Sequence, residues 1–341
     1  MTGLRIERFH FDGASELDWE RRHALYRAAQ QEMQSAPMPL QAYRASYGPG
    51  RKGVRRRSWL ARQGDEVVAK LDLATDPAVE GVAIVALHVA ASVRRRGIGR
   101  QLVTRALEAT TPRPREIFAS TMLADGRHVC EHYGGRVSLV GAERSLHMDA
   151  VDWKQIDSIR SAGLERWPAV HLVEFEQLPE ALAQAYLQTY NQAWRDQPRP
   201  FPQPEPDITL EDRRRQEERL RAQGLEWFTL LSLEADGQVS AVTEIYHDPG
   251  VADLIRQQIT GVARERRGRG LATWLKAELL YRLRARYPLA ARVVAHNGND
   301  NAPMLAINRK FGFDTAVEHY TYCFEAAPLL ARLRLAAPDL P

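Results

Sequence analysis

The sequence predicts two tandem α/β units, and three observations carry that prediction. A length of 341 residues exceeds one ordinary α/β domain and, at roughly 150 residues per domain, corresponds to about two. The composition, 44% hydrophobic and 26% charged, can bury sizeable cores and excludes a disordered, collagenous or coiled-coil chain. The third observation is an internal repeat. Residues 67–77 (VVAKLDLATDP) align without a gap with residues 239–249 (VSAVTEIYHDP), setting Asp72 against Glu244, Asp76 against Asp248 and Pro77 against Pro249. Residues 89–99 (VAASVRRRGIG) align with residues 262–272 (VARERRGRGLA) at nearly the same offset.

The elements repeat in the same order. Residues 4–10 and 170–175 read as first strands, followed by helices over about 15–34 and 179–194 that each close on a proline-bearing loop, 37–39 and 198–206. Strand pairs come next, 59–63 with 66–74 and 227–234 with 238–247, turned at Gly64-Asp65 and Asp236-Gly237. A fourth strand, 82–89 or 254–262, runs into a glycine-bearing loop and then a helix. The helices place Ile98, Leu102, Ala106 and Leu107, or Leu271, Leu275, Leu279 and Leu280, on one face. Each half ends in alternating strands near 136–149 and 314–325. The expected division is 1–152, a helical connector over 153–168 with Trp153, Ile156, Ile159 and Leu164 on one face, and 169–341.

The loops Arg94-x-x-Gly97-x-Gly99 and Arg267-x-x-Gly270-x-Ala272 carry the chemistry. Glycine lets the backbone approach a ligand, successive N–H groups point into the gap, and a helix N-terminus adds the positive potential that suits pyrophosphate. Flanking arginines add charge-assisted bonds. Neither loop is a Walker loop, which needs Gly-Lys-Ser/Thr, nor a Rossmann fingerprint, which needs a third glycine after the first strand.

These loops resemble the Gln/Arg-x-x-Gly-x-Gly/Ala signature of the GNAT acyltransferase superfamily, and both halves match it. The resemblance covers nearly the whole chain as a tandem pair, a layout shared with mycothiol synthase and many bacterial acetyltransferases. It implies two copies of a mixed, mostly antiparallel sheet flanked by helices, with acetyl-CoA as cosubstrate. It also implies that Leu87, His88 and Val89, and Thr260, Gly261 and Val262, pair with the pantetheine arm. The pyrophosphate would lie on Arg94, Arg95, Arg96, Gly97, Ile98 and Gly99 in the first half, and on Arg267, Gly268, Arg269, Gly270, Leu271 and Ala272 in the second.

The family's later motif has an asparagine, a helix, and a tyrosine shortly before Gly-Phe. The second half resembles it through Asn297, Asn301, Asn308 and Phe311-Gly312-Phe313, with Asn308 at the tyrosine position. The first half offers Cys130 and Tyr133-Gly134-Gly135. The second half is therefore expected to be catalytic. Family chemistry is direct attack of an amine on the thioester. Glu244 is the first candidate base, a strand carboxylate near the acceptor cleft, with a solvent-facing strand residue as its plainer reading. Asn297 is a candidate contact to the CoA arm, Asn301 and Asn308 to the arm or the acceptor with a helix cap as their plainer reading, and Tyr320 and Tyr322 are candidate proton donors to the thiolate with core strand aromatics as theirs. Asp196, Arg199 and Phe201 are candidate acceptor contacts, and 211–221 reads as a solvated helix face.

No His-Glu-x-x-His, calcium loop or Gly-x-Ser-x-Gly elbow is present, and no metal is expected. Two distant cysteines, a charged N-terminus and no long apolar run point to a cytoplasmic protein with no membrane partner. A net charge of +4 without aromatics among the arginines disfavours nucleic acid. The expected function is acetyl transfer to a primary amine of a small molecule or peptide. The rivals are a mycothiol-synthase-like acyltransferase acting on an amino-sugar conjugate, and a non-catalytic acyl-CoA-binding or sensor protein.

Overall fold

A computed structural model describes residues 3–33, 37–47, 53–202 and 207–335. The chain divides into two compact units, the first from Met1–Val140, Pro200–Pro204 and His319–Pro341, the second from Gly141–Arg199 and Glu205–Glu318. The first contains β1 (Leu4–Phe9), α1 (Glu16–Glu32), α2 (Leu40–Ala45), β2 (Arg55–Gln63), β3 (Glu66–Thr75), β4 (Val82–Val89), α3 (Ile98–Glu108), β5 (Glu116–Thr121) and α4 (Ala124–His132). Strand β6 (Arg136–His147) then leads to α5 (Trp153–Arg166). The second unit continues with β7 (His171–Phe175), α6 (Ala183–Arg195), α7 (Leu210–Ala222), β8 (Glu226–Leu233), β9 (Val239–His247), β10 (Leu254–Val262), α8 (Leu271–Arg286), β11 (Arg292–Gly298) and α9 (Ala302–Lys310). Strand β12 (Asp314–Glu325) and α10 (Ala326–Leu335) close the chain.

Each unit holds a mixed sheet with one parallel junction. In the first, β1 to β4 pair antiparallel in sequence order, β4 pairs β5 in parallel, and β5 pairs the end of β12 antiparallel. In the second, β7 to β10 pair antiparallel, β10 pairs β11 in parallel, and β11 pairs the end of β6 antiparallel. The repeat extends to register. Ser58 faces Asp72 and Thr229 faces Glu244, and both hairpins carry an irregularity three residues on, at Ala61/Arg62 and Ser232/Leu233. Two tandem, mostly antiparallel sheets flanked by helices are the architecture the sequence predicted.

The exchange of last strands is the feature the repeat conceals. Residues 319–341 follow the second half in sequence yet belong to the first unit, because Tyr320 to Glu325 ladder onto Thr121 to Glu116. Gly141 to His147 ladder onto β11 in turn.

Apolar stripes bury the helices. Ile98, Leu102, Ala106 and Leu107 pack under α10 side chains Leu329, Leu330 and Leu333 on one face of the first sheet, while Trp19, Leu25 and Tyr43 of α1 and α2 cover the other. A fully buried leucine such as Leu102 contributes about 1.5–3 kcal/mol. In the second unit α8 is buried nearly all round because α5 lies along it. Gly163 permits that approach, since a Cβ there would come within 2.0 Å of Trp274, and Trp167 stacks on the same indole. The connector's inward stripe is Trp153, Ile156, Ile159 and Gly163; Leu164, expected on it, is 55% exposed. Among the described residues no helix is long and apolar enough to cross a membrane.

Candidate functional site

Each parallel junction opens into a wedge. Strand β4 pairs β5 only from Val82 to Ile84 before running on to Val89, and β10 pairs β11 only from Leu254 to Gln257 before running on to Val262. In the second unit a bulge between Gln257 and Thr260 adds a further break toward β9. At the mouth of each wedge stands the glycine loop.

Both loops have one backbone shape. Gly97 (φ 72°) and Gly270 (φ 85°) are left-handed N-caps of α3 and α8. Two residues earlier Gly268 is left-handed at φ 73° and Arg95 at φ 61°. A non-glycine there costs about 1–2 kcal/mol, so the first loop is held by its surroundings. Those surroundings are also duplicated. Arg94 Nε donates to Val89 O (3.1 Å) and its guanidinium pairs with Glu32 at the end of α1. Arg267 Nε donates to Val262 O (2.9 Å) and pairs with Asp196 just past α6 (2.6 Å). These arginines, expected at the pyrophosphate, are latches tying the loop to the strand end and the first helix. Asp196, expected at the acceptor, is their counter-charge, with its carboxyl held down at about 2 by Arg264 and Arg267.

With the latches formed, the first-turn amides of α3 and α8 lack intrahelical partners and face an anion-favouring N-terminus. Arg95, Arg96 and Arg269 remain exposed beside them. Gly99 lets α3 close on β4, since a Cβ would sit 3.2 Å from Leu87 and 3.5 Å from Val89. Gly261 does the same for α6, where a Cβ would strike that of Ala193.

The apex of the second wedge is polar. Gln257 is buried, its Nε2 donates to Thr260 Oγ1 (3.0 Å) and Thr243 Oγ1 (3.3 Å), and its Oε1 has no partner. Asn308 Nδ2 donates to Asn297 Oδ1 (2.6 Å), and Asn308 Oδ1 accepts from the Lys276 ammonium. Asn301 caps α9 by accepting from the Met304 amide, the plainer of its two readings.

Glu244 is not placed as a base. It is fully buried, accepts from Tyr186 Oη (2.5 Å) and Thr229 Oγ1 (3.0 Å), and is ion-paired with Arg213 at 3.2 Å. Burial and the Glu244 charge push the Tyr186 hydroxyl well above its usual range. Arg213 is itself 1% exposed, which corrects the reading of 211–221 as a solvated face: Arg213 turns inward to meet the strand acid, and Glu217 turns inward to pair with Arg213.

The first unit repeats this motif with the helices exchanged. Asp72 accepts from Ser58 (2.7 Å) and from Arg22 of α1 (2.6 Å), and Lys70 (3.1 Å) and Tyr47 (3.0 Å) complete its shell. Burial opposes ionisation, yet Lys70 and Arg22 hold the carboxyl below the usual range. Unlike Glu244, Asp72 borders a cavity of about 300 Å³ lined also by Phe11, Tyr47, Arg56, Ile84 and Ala86. His88 lies opposite Lys70 on β4, and its buried Nδ1 has no partner. Burial and then Lys70 lower its pKa to about 4.

Tyr320, the candidate proton donor to the thiolate, lies in the first unit because β12 joins β5; its ring carries Arg127 at 3.9 Å. Glu244 and Asn308 belong to the second unit. Phe201 also lies in the first unit, 5.8 Å from Phe118, while Arg199 belongs to the second and residues 203–206 of that loop fall outside the described residues. Sequence reasoning missed Lys276, Gln257 and the Arg22–Asp72 pair. The available signal was a lysine, one of five in the chain, inside an apolar helical stripe.

The acetyltransferase (GNAT) family model matches residues 19–124 and 186–313. Among curated proteins none matches the sequence. Among solved structures, the chain resembles a tandem GNAT protein from the clavulanic acid biosynthesis pathway, at 22% identity and TM-score 0.75 over 95% of this chain and 99% of that one. It also resembles a GCN5-related N-acetyltransferase from Sphaerobacter thermophilus, at 16% identity and TM-score 0.62 over 95% and 96%. A glucosamine N-acetyltransferase region of a fungal multi-domain β-N-acetylglucosaminidase matches at 13% identity and TM-score 0.66, over 95% of this chain and 38% of that one.

Proposed function

The chain belongs to the acetyltransferase (GNAT) family, and from that premise we propose that it moves an acetyl group from acetyl-CoA to a primary amine of a small molecule or peptide. The observation that carries the reading is the duplicated cradle, a left-handed glycine capping a helix at the mouth of a wedge between parallel strands. The first-turn amides with Arg95, Arg96 and Arg269 fit a pyrophosphate, and the unpartnered Gln257 Oε1 fits an N–H of a pantetheine arm. When bound, the thioester supplies an acyl carbon open to amine attack, the amine losing a proton and the departing thiolate gaining one.

Transfer belongs to the first unit in this reading, in place of the second half that the asparagine motif favoured. Its strand acid borders a cavity that can seat an acceptor substituent, whereas Glu244 is fully buried. His88, on the same sheet face as Lys70, is neutral across physiological pH, and its unpartnered nitrogen accepts from the attacking amine. Asp72, with four donors on its two oxygens, positions Tyr47 and Lys70 rather than taking a proton. A second reading, acyl-CoA binding without transfer, is favoured for the second unit by the sealing of Glu244.

The test is release of CoA thiol from acetyl-CoA against primary amines, an amino-sugar conjugate included, with the parent and with His88→Leu, Gly97→Glu and Gly270→Glu. Acetylation lost in His88→Leu and Gly97→Glu but retained in Gly270→Glu supports the assignment. Loss only in Gly270→Glu overturns it.

A further inference from the structure

Lys276 is 1% exposed on α8, donates to Asn308 Oδ1 and sits 4.2 Å from the Phe313 ring centroid. Among the described residues no carboxylate lies within ion-pair distance of it. Burial alone depresses its pKa to about 7. A buried ammonium without a counter-ion is costly, and the fold does not require one here. The aligned position in the first unit, counted from Gly97 and Gly270, is Val103, packed among apolar neighbours. The partner differs in the same sense, because Cys130 stands where Asn308 does. That equivalence is structural: Gly134 and Gly312 are both left-handed, Gly135 N donates to Cys130 O (2.8 Å), and Phe313 N donates to Asn308 O (3.0 Å). One cleft is apolar where the other carries an amine and an amide.

The charge is connected to the wedge. Asn308 reaches Asn297, two residues past Ala295 where β10–β11 pairing ends, and Gln257, the paired residue on β10, holds a buried oxygen without a partner. From the loop the β10 edge between Val262 and Gln257 spans five residues, about 17 Å, comparable with an extended phosphopantetheine arm. An acyl group on that arm ends at this apex. The surrounding charges leave Lys276 uncompensated. Glu278 is taken by Arg160 of α5 and by Arg282, and Arg309 and Lys310 of α9 are exposed. Arg144 of β6 donates to the Asn297 carbonyl (3.3 Å) and to Asn299 Oδ1 (2.7 Å), with Glu318 as the acid acting on it. On the strands beneath, β8 presents Phe228 and Leu230, and Glu226 at the start of the same face is taken by His247 at 3.3 Å.

We propose that the second unit's cleft binds a CoA thioester whose acyl chain ends in a carboxylate, a dicarboxylic monothioester of the succinyl type, with Lys276 as counter-charge behind Asn308 and Asn297. The proposal rests on the CoA-binding reading above and changes only the acyl group this cleft selects.

The test is titration of the full chain with succinyl-CoA, its uncharged counterpart butyryl-CoA, and acetyl-CoA, using the parent, Lys276→Met, Lys276→Gln and Gly270→Glu. The expected result is binding of succinyl-CoA at least tenfold tighter than butyryl-CoA, with a proton taken up at pH 8 as Lys276 recharges. That preference disappears in both lysine variants, and second-cleft binding disappears in Gly270→Glu. Equal affinity for the two thioesters in the parent, or a preference that survives both lysine variants, overturns this inference alone. Failure of every thioester to bind the second cleft overturns the CoA reading of that unit together with it.

Discussion

Arg213→Met isolates the role of Glu244. At 3.2 Å and an effective dielectric near 20, the pair's Coulomb attraction is about 5 kcal/mol. Both partners are essentially unexposed, so truncating one leaves the other charge stranded, a change that typically costs about 3–5 kcal/mol. Glu217, 3.0 Å from the same guanidinium, loses one of its two arginine partners and keeps Arg214 at 3.0 Å. Against a total stability of about 5–15 kcal/mol this is a large fraction. With an m-value of about 3 kcal/mol/M, the urea midpoint of the transition involving the second unit falls by about 1 M or more. The assay is urea unfolding followed by circular dichroism. Arg213→Leu with Glu244→Leu, which removes both charges, is expected to recover most of the loss. The reasoning is refuted if Arg213→Met is as stable as the parent, or if Glu244→Gln keeps full stability while abolishing amine acetylation.

Two further outcomes follow from backbone and burial. Arg95→Gly relieves a left-handed arginine at φ 61° costing about 1–2 kcal/mol, offset by about 0.5–1 kcal/mol of glycine entropy; thermal unfolding should show a gain of up to about 1 kcal/mol, and a loss would contradict it. For Lys276 the folded pKa, about 7, lies below the ordinary lysine value of 10.5, so between these pH values the unfolded chain binds more protons and parent stability rises with pH. Lys276→Met removes that slope. Its stability relative to the parent is therefore greatest below pH 7 and declines toward pH 10.5, as urea titrations at pH 6 and 9 would read; a pH-independent difference would show that the lysine does not titrate there.

The legible parts of this fold were those written in local pattern. The gapless alignment of 67–77 with 239–249 identified hairpins whose register the structure repeats pair for pair, and the Gly-x-Gly spacing marked the helix N-termini with their left-handed glycines. What local pattern could not carry was partner choice. The helical spacing of Arg213 and Glu217 reads equally well as an exposed face until a buried strand acid is found beneath them. Strand exchange assigns Tyr320 to the first unit and Asn308 to the second, and the sequence of β12 does not encode which sheet it joins. The latch arginines Arg94 and Arg267 look like phosphate ligands by residue type, and only the positions of Glu32 and Asp196 reassign them.

The most direct test of the central claim, that each unit holds a CoA cradle, is calorimetric titration of acetyl-CoA into the parent, Gly97→Glu and Gly270→Glu. A Cβ at Gly270 has open space, nothing lying nearer than 3.9 Å, so its glutamate acts through backbone strain and a negative charge at the helix N-terminus. The account predicts two sites in the parent and one in each variant. No binding to the parent, or sites unaffected by either substitution, would contradict it.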